Sequence, residues 1–374
     1  MINVLFHGNC QVGAVKCTLN LPSNLYNCFT VLVYITTLTK NDFLTILETC
    51  DIIITQPIKD NYKDVDYLST SYLINNCKKN AKIIIFDTCH FDFYYFDLIY
   101  KKLNHPIHNN LLPYHYSNMI ECYNKNYPIE YYINNFVNNE NLKTQEELEI
   151  IAENSLNILK DRNNHTINLY SNMKKECLDN FDWKTYVSYY PDLSFITNKE
   201  DAWHHWIMFG KSESRIFFKG ECLDNFDWKT YVSHYPDLSF ITNKEDAWHH
   251  WIMFGKSESR IFFDYINKPH IISTYDFIKQ NYKNKLLFYT FNHPTKYLIH
   301  YICEELIKCL KIPNSINYDI DTMQYLRCII YKCIQKNVNF DISQNTPLLN
   351  PGKQNVYDIT QKYYHIYEAD KYPI

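Results

Sequence analysis

Ile2-Asn3-Val4-Leu5-Phe6-His7-Gly8-Asn9-Cys10-Gln11 opens the chain with an apolar β-type run that breaks into a glycine turn. The residues that follow, 12–19, carry a helical pattern. A strand that turns directly into a helix is the opening move of an α/β fold. Further β-type runs lie at 29–35, 51–55, 81–86 and 286–290, with helical stretches between the first four, for example at 41–48 and 67–76. Longer helical patterns lie at 144–160, 295–310 and 323–335. This alternation predicts a doubly wound, five-stranded parallel sheet. In such sheets ligands sit beyond the carboxyl ends of the strands. The order 2-1-3-4-5 makes neighbours of the four polar strand ends and leaves the plain end of strand two at the edge.

Those polar ends are His7-Gly8-Asn9-Cys10-Gln11 after strand one, Gln56-Pro57 after strand three, Asp87-Thr88-Cys89-His90 after strand four and Phe291-Asn292-His293-Pro294 after strand five. The chain has six glycines, and two of them, Gly8 and Gly13, bracket Cys10. Glycine allows positive φ and close backbone approach. A helix starting at Val12 directs its free N–H groups and positive end at Cys10, which favours a thiolate or an oxyanion there. His293, at a strand end, is the candidate general base. A buried structural cysteine and a capping histidine are the alternative readings of these two residues. Asp87, His90 and His115 are secondary candidates, whereas Asn104-His105-Pro106 follows a helical pattern and is read as unrelated to the site.

Residues 176–218 recur at 221–263 with one difference, Tyr189 against His234, and all six tryptophans lie inside the two copies. Each copy reads as two short helices: one at about 183–190, with Asp182 as N-cap and Pro191 as stop, and a second with Thr197 and Glu200 at capping-box spacing. The adjacent histidine pairs, His204-His205 and His249-His250, do not share a helical face, which argues against a metal site within one copy. The duplication divides the chain into an α/β domain at 1–175, repeats at 176–218 and 221–263, the rest of the α/β domain at 264–340 and a C-terminal tail at 341–374.

With 374 residues, 46% hydrophobic content and a net charge of -4, the composition is that of a globular protein without a basic stripe for nucleic acid. No run approaches the ~20 apolar residues of a membrane span, no leader pattern is present, and the reading is cytoplasmic. Thirteen cysteines without zinc-type spacing read as reduced thiols, with no metal expected.

Gly8-Asn9-Cys10-Gln11, Asp51-Ile52-Ile53-Ile54-Thr55-Gln56-Pro57 and Leu287-Phe288-Tyr289-Thr290-Phe291-Asn292-His293-Pro294 together resemble the WcbI-type polysaccharide biosynthesis family. The likeness runs over about residues 2–310, apart from the repeats. It implies an acetyltransferase that binds coenzyme A, with an architecture related to the SGNH hydrolases. On that implication the chain is an O-acetyltransferase moving acetyl from acetyl-coenzyme A to a hydroxyl of a glycan or nucleotide-sugar acceptor. Cys10 is then nucleophile or acyl-proximal group, and His293 the base. Asn9, Gln11 and backbone N–H groups are oxyanion donors, Asn292 orients the turn, and Gly8 and Gln56 contact the cofactor. Asp87 to His90 has no family counterpart, Tyr114-His115 matches loosely, and a strand-like segment is displaced by the repeats to 269–275. Two other functions fit the same residues: an esterase or deacetylase acting on acetylated glycan, and a non-catalytic protein whose repeats contact glycan or protein.

Overall fold

The computed structural model describes residues 1–78, 81–100, 114–171, 182–198, 228–251, 269–313, 315–342 and 355–369, with isolated residues of the repeats besides. Its strands are β1 (Ile2–Gly8), β2 (Tyr26–Leu32), β3 (Ile52–Thr55), β4 (Lys82–Phe86), β5 (Leu98–Tyr100), β6 (Tyr114–Tyr116), β7 (His270–Ile272), β8 (Phe288–Thr290) and β9 (His293–Pro294). The first six helices are α1 (Cys10–Thr18), α2 (Lys40–Thr49), α3 (Thr70–Asn76), α4 (Ser117–Asn124), α5 (Ile129–Tyr132) and α6 (Gln145–Ser171).

The main sheet has the order β2-β1-β3-β4-β7, and every pairing in it is parallel. Val4, Leu5, Phe6, Ile53, Ile54, Ile84 and Ile85 are all fully buried. Near-continuous apolar strands are what a parallel sheet covered on both faces requires. The expected doubly wound architecture therefore holds, with a different segment at its fifth position.

That position belongs to β7, not to 286–290. Ile84, Ile85 and Phe86 pair with His270, Ile271 and Ile272. The 286–290 run instead makes β8, which reverses through Phe291 and Asn292 and pairs antiparallel with β9. The apolar run satisfies its backbone across a hairpin, so His293 stands on the returning arm. Two other elements also differ from their sequence patterns. Strand two lies three residues earlier than 29–35, because Leu32 pairs with Gly8, the last residue of β1, and leaves no partner beyond. The 323–335 pattern forms no α-helix; Cys328 N donates to Tyr289 O at 2.8 Å and Ile329 N to Tyr116 Oη at 2.6 Å, so those amides are spent outside any helix. A short 3-10 helix, Lys332–Asn337, follows.

The stretch read as a tail includes the helix Val356–Ala369, whose Ile359, Tyr363, Ile366 and Tyr367 are buried in the same core as the sheet. The chain divides into two compact units, Met1–Ser171 with Pro269–Ile374, and Asn172–Lys268.

Within the second unit, helix Trp183–Tyr189 is capped by Asp182, whose side chain accepts from Thr185 N. The second repeat helix starts one residue later than its sequence pattern. Asn198 Oδ1 accepts from Asp201 N at 2.8 Å, and Asn243 Oδ1 accepts from Asp246 N at 2.8 Å, so Asn and not Thr is the cap. Each copy has its own small core, around Tyr186 and Leu193 in one and Tyr231 and Leu238 in the other. A tyrosine-histidine contact of 2.9 Å recurs in both, Tyr186 to His205 and Tyr231 to His250.

Candidate functional site

β1 ends at Gly8 and α1 begins at Cys10, with Asn9 as N-cap, its side chain accepting from Gln11 N at 2.8 Å. A cap oxygen on the N2 amide satisfies one of the donors that a helix start leaves free. It also fixes Cys10 as the first helical residue, above the carboxyl end of the sheet.

Gly8 has φ +155, and a Cβ placed there would lie 2.6 Å from Gln56 Oε1. Only glycine allows that approach. Gln56 uses it to hold the turn from below: its Oε1 accepts from Asn9 N at 3.0 Å and its Nε2 donates to Gln11 Oε1 at 2.9 Å. Gln11 extends the bracket, accepting from Cys89 N at 3.0 Å and donating to the carbonyls of Cys89 and Asn292, both at 2.8 Å. Gln11 and Gln56 are fully buried. Both donor hydrogens of the Gln11 amide are therefore committed, so this side chain orients the site and is no oxyanion donor. Gln56, fully buried, likewise supports the turn from within, and Gly8 admits it. Asn9 differs, because its amide nitrogen has no partner among the described residues.

One side of this bracket is the β8–β9 hairpin, and the two sides meet at the reactive groups. Cys10 Sγ lies 3.8 Å from His293 Nε2. Behind the imidazole, His293 Nδ1 is 2.8 Å from Thr290 Oγ1, and Tyr114 Oη donates to Asn292 Oδ1 at 2.7 Å. The loop after β4 is tied to the hairpin by Phe91 N, which donates to Phe291 O at 2.7 Å. Sequence reasoning placed Cys10, His293, Asn9, Gln11 and Asn292 here but missed Thr290 and the full part of Tyr114. Thr290 sits three residues before His293 in the quoted motif, and that spacing was the available signal.

The secondary candidates separate. His90 packs at a tilt against Phe291 with ring centroids 4.9 Å apart and lies 3.4 Å from Asp92, while Asp87 is buried and accepts from Thr274 N. His115 faces a different cluster, 3.1 Å from Tyr367 Oη. His7 lies under the turn, buried, with Nδ1 2.9 Å from Thr55 Oγ1. Asn104-His105-Pro106 lies outside the described residues.

Burial sets the electrostatics of the pair. The Cys10 thiol is pushed up, because desolvation outweighs the backbone N–H groups of Cys10 and Gln11 that favour its anion. The thiolate expected from the helix start is therefore disfavoured in the resting site. His293 is pushed down to about 4, also by burial. At neutral pH the pair is thiol and neutral imidazole.

This has a consequence for stability. The unfolded chain binds the His293 proton at the ordinary value of about 6.5 and the folded chain only near 4. Its stabilising contribution is complete above about pH 6.5 and is lost as pH falls toward 4. His7 and His90, also lowered to about 4, act in the same direction, whereas Asp87 and Asp97, raised to about 6, oppose them between about 4 and 6. His293→Gln is expected to reduce the loss of urea stability between pH 7 and pH 4.5 by about 2 kcal/mol relative to the parent chain. An identical pH dependence in both proteins contradicts the assignment.

No group of His, Cys, Asp and Glu among the described residues is arranged to hold a metal ion, and no described helix is long and apolar enough to cross a membrane. Residues 3–176 match the family model described as polysaccharide biosynthesis enzyme WcbI. No curated protein matches the chain. Among solved structures, one of WcbI, described as a novel polysaccharide biosynthesis enzyme in its native form without a disulfide bond between coenzyme A and a cysteine, is similar in fold. It has a TM-score of 0.56 at 14% identity, over 99% of this chain and 92% of that one.

Proposed function

Taking residues 3–176 as a WcbI-type segment, we propose that this chain is an enzyme of polysaccharide biosynthesis, an O-acetyltransferase acting on a sugar hydroxyl. The observation that carries the reading is the 3.8 Å contact of Cys10 Sγ with His293 Nε2 at the start of α1. Coenzyme A named together with a cysteine in the similar solved structure supports placing the acyl donor at Cys10.

The residues present suit a thioester. Cys10 is only partly buried, its imidazole partner is neutral, and the Asn9 amide nitrogen has no partner among the described residues. Acetyl-coenzyme A supplies the acetyl group when bound. His293 Nε2 takes the Cys10 proton as Sγ forms a bond to the acyl carbon, and returns it to the leaving sulfur as the original thioester bond breaks. In the second half His293 takes the proton of the acceptor hydroxyl. The oxygen–carbon bond forms, the Sγ–carbon bond breaks and the proton returns to Cys10. Asn9 Nδ2 and the Cys10 N–H that opens α1 are the donors to the oxyanion of each half-reaction.

Calorimetric titration with coenzyme A and acetyl-coenzyme A tests the donor. Saturable binding that weakens in Asn9→Ala is expected; no heat at millimolar ligand contradicts the transferase reading.

A further inference from the structure

We propose that Thr290 is the positioning residue of this site, holding His293 with its proton on Nδ1 so that Nε2 faces Cys10 as a proton acceptor. The inference rests on the acyl-transfer reading for its catalytic meaning, but its geometric content is independent of it.

The tautomer follows from counting protons. Asn292 Oδ1 can only accept, and two hydroxyls converge on it, Tyr114 Oη at 2.7 Å and Thr290 Oγ1 at 3.0 Å. The Thr290 hydroxyl has one proton, and Asn292 takes it. Thr290 Oγ1 then has its two lone pairs to offer to its other neighbours, which are nitrogens: the backbone N–H groups of His293 at 3.2 Å and Asn292 at 3.3 Å, long contacts that share one lone pair, and His293 Nδ1 at 2.8 Å on the other. The shortest of these is the imidazole contact. Nδ1 must therefore carry hydrogen. The reverse arrangement, with Thr290 donating to Nδ1, leaves two oxygens 3.0 Å apart with no proton between them. Tyr114 Oη, 3.5 Å from Nδ1, is too far to replace Thr290.

The orienting group is uncharged, and that matters. A carboxylate in this place would stabilise an imidazolium and with it a thiolate; a threonine oxygen orients the ring without doing so. The site thus holds its proton on sulfur until an acyl carbon is in reach. Thr290 and His293 are both buried, so no water substitutes for the lost oxygen at low cost.

The test is long-range nitrogen–proton NMR of the full chain labelled in histidine, at pH 7, with acetyl transfer measured in parallel. The parent protein is expected to show His293 protonated on Nδ1. Thr290→Val is expected to lose that pattern and to lower kcat by roughly 10²-fold, with little change in KM for acetyl-coenzyme A. Thr290→Ser is expected to restore both. Tyr114→Phe removes one donor to Asn292 but leaves the Thr290 oxygen in place, and is expected to keep the tautomer. Protonation on Nε2 in the parent, or the Nδ1 pattern surviving in Thr290→Val, overturns the proposal. So does a changed tautomer with unchanged kcat. A parent protein with the expected tautomer but no acetyl transfer leaves Thr290 as the orienting group and sinks the transferase reading instead.

Discussion

Cys10→Ala is expected to lower kcat/KM for acetyl transfer by at least about 10³-fold, and His293→Gln by about 10²–10⁴-fold. The two act as a unit, because among the described residues the proton that leaves Sγ has its acceptor in His293 Nε2 at 3.8 Å. The double variant is therefore expected to be no worse than Cys10→Ala alone. Neither side chain anchors the turn: the bracket runs through the side chains of Gln11 and Gln56, so melting temperatures should stay close to the parent value. Steady-state kinetics with acetyl-coenzyme A and an acetylatable glycan check this. Full activity in Cys10→Ala removes the nucleophile, and multiplicative losses in the double variant remove the coupling.

The largest effect on stability is expected from Gly8→Ala. The added Cβ would meet Gln56 Oε1 at 2.6 Å and Gln56 Cγ at 3.2 Å, at a backbone φ of +155. A flexible side chain could step aside, but this one is fixed at both ends, accepting from Asn9 N and donating to Gln11 Oε1. Moving it leaves buried polar groups unpaired. Strain and lost hydrogen bonds together amount to about 2–4 kcal/mol. Urea denaturation with an unchanged m value reads that loss. Removing the obstacle should recover part of it, so Gly8→Ala combined with Gln56→Ala is expected to cost less than the sum of the single variants. Strict additivity, or a Gly8→Ala midpoint equal to the parent, contradicts the bracket.

Much of this was legible in the sequence because the signals were local. The run Ile2 to Phe6 and the glycine after it define β1 and its turn, and alternation of apolar runs defines the sheet. What failed was non-local. Residues 286–290 are as apolar as any core strand, and nothing within them says that the chain folds back at Asn292 instead of joining the sheet, a choice made by pairing with His293 and Pro294. Residues 269–275 read as strand-like only through the family resemblance, and the place of β7 in the sheet comes from Ile84 to Phe86 beside it. The polar site residues were found as a set, but their division of labour was not. Gln11 and Asn9 look equally suited to donate to an oxyanion until the partners of Gln11 are known. The influence of the helix start on Cys10 was read with the right sign, but burial, invisible in the motif, exceeds it.

The most direct test is to mix the protein with isotopically labelled acetyl-coenzyme A in the absence of acceptor, quench, and map the label by peptide mass spectrometry. The account predicts one acetyl group on Cys10, lost on addition of acceptor glycan and absent in His293→Gln over the same interval. Label that reaches glycan at the parent rate without ever residing on Cys10, or that does so in Cys10→Ala, contradicts it.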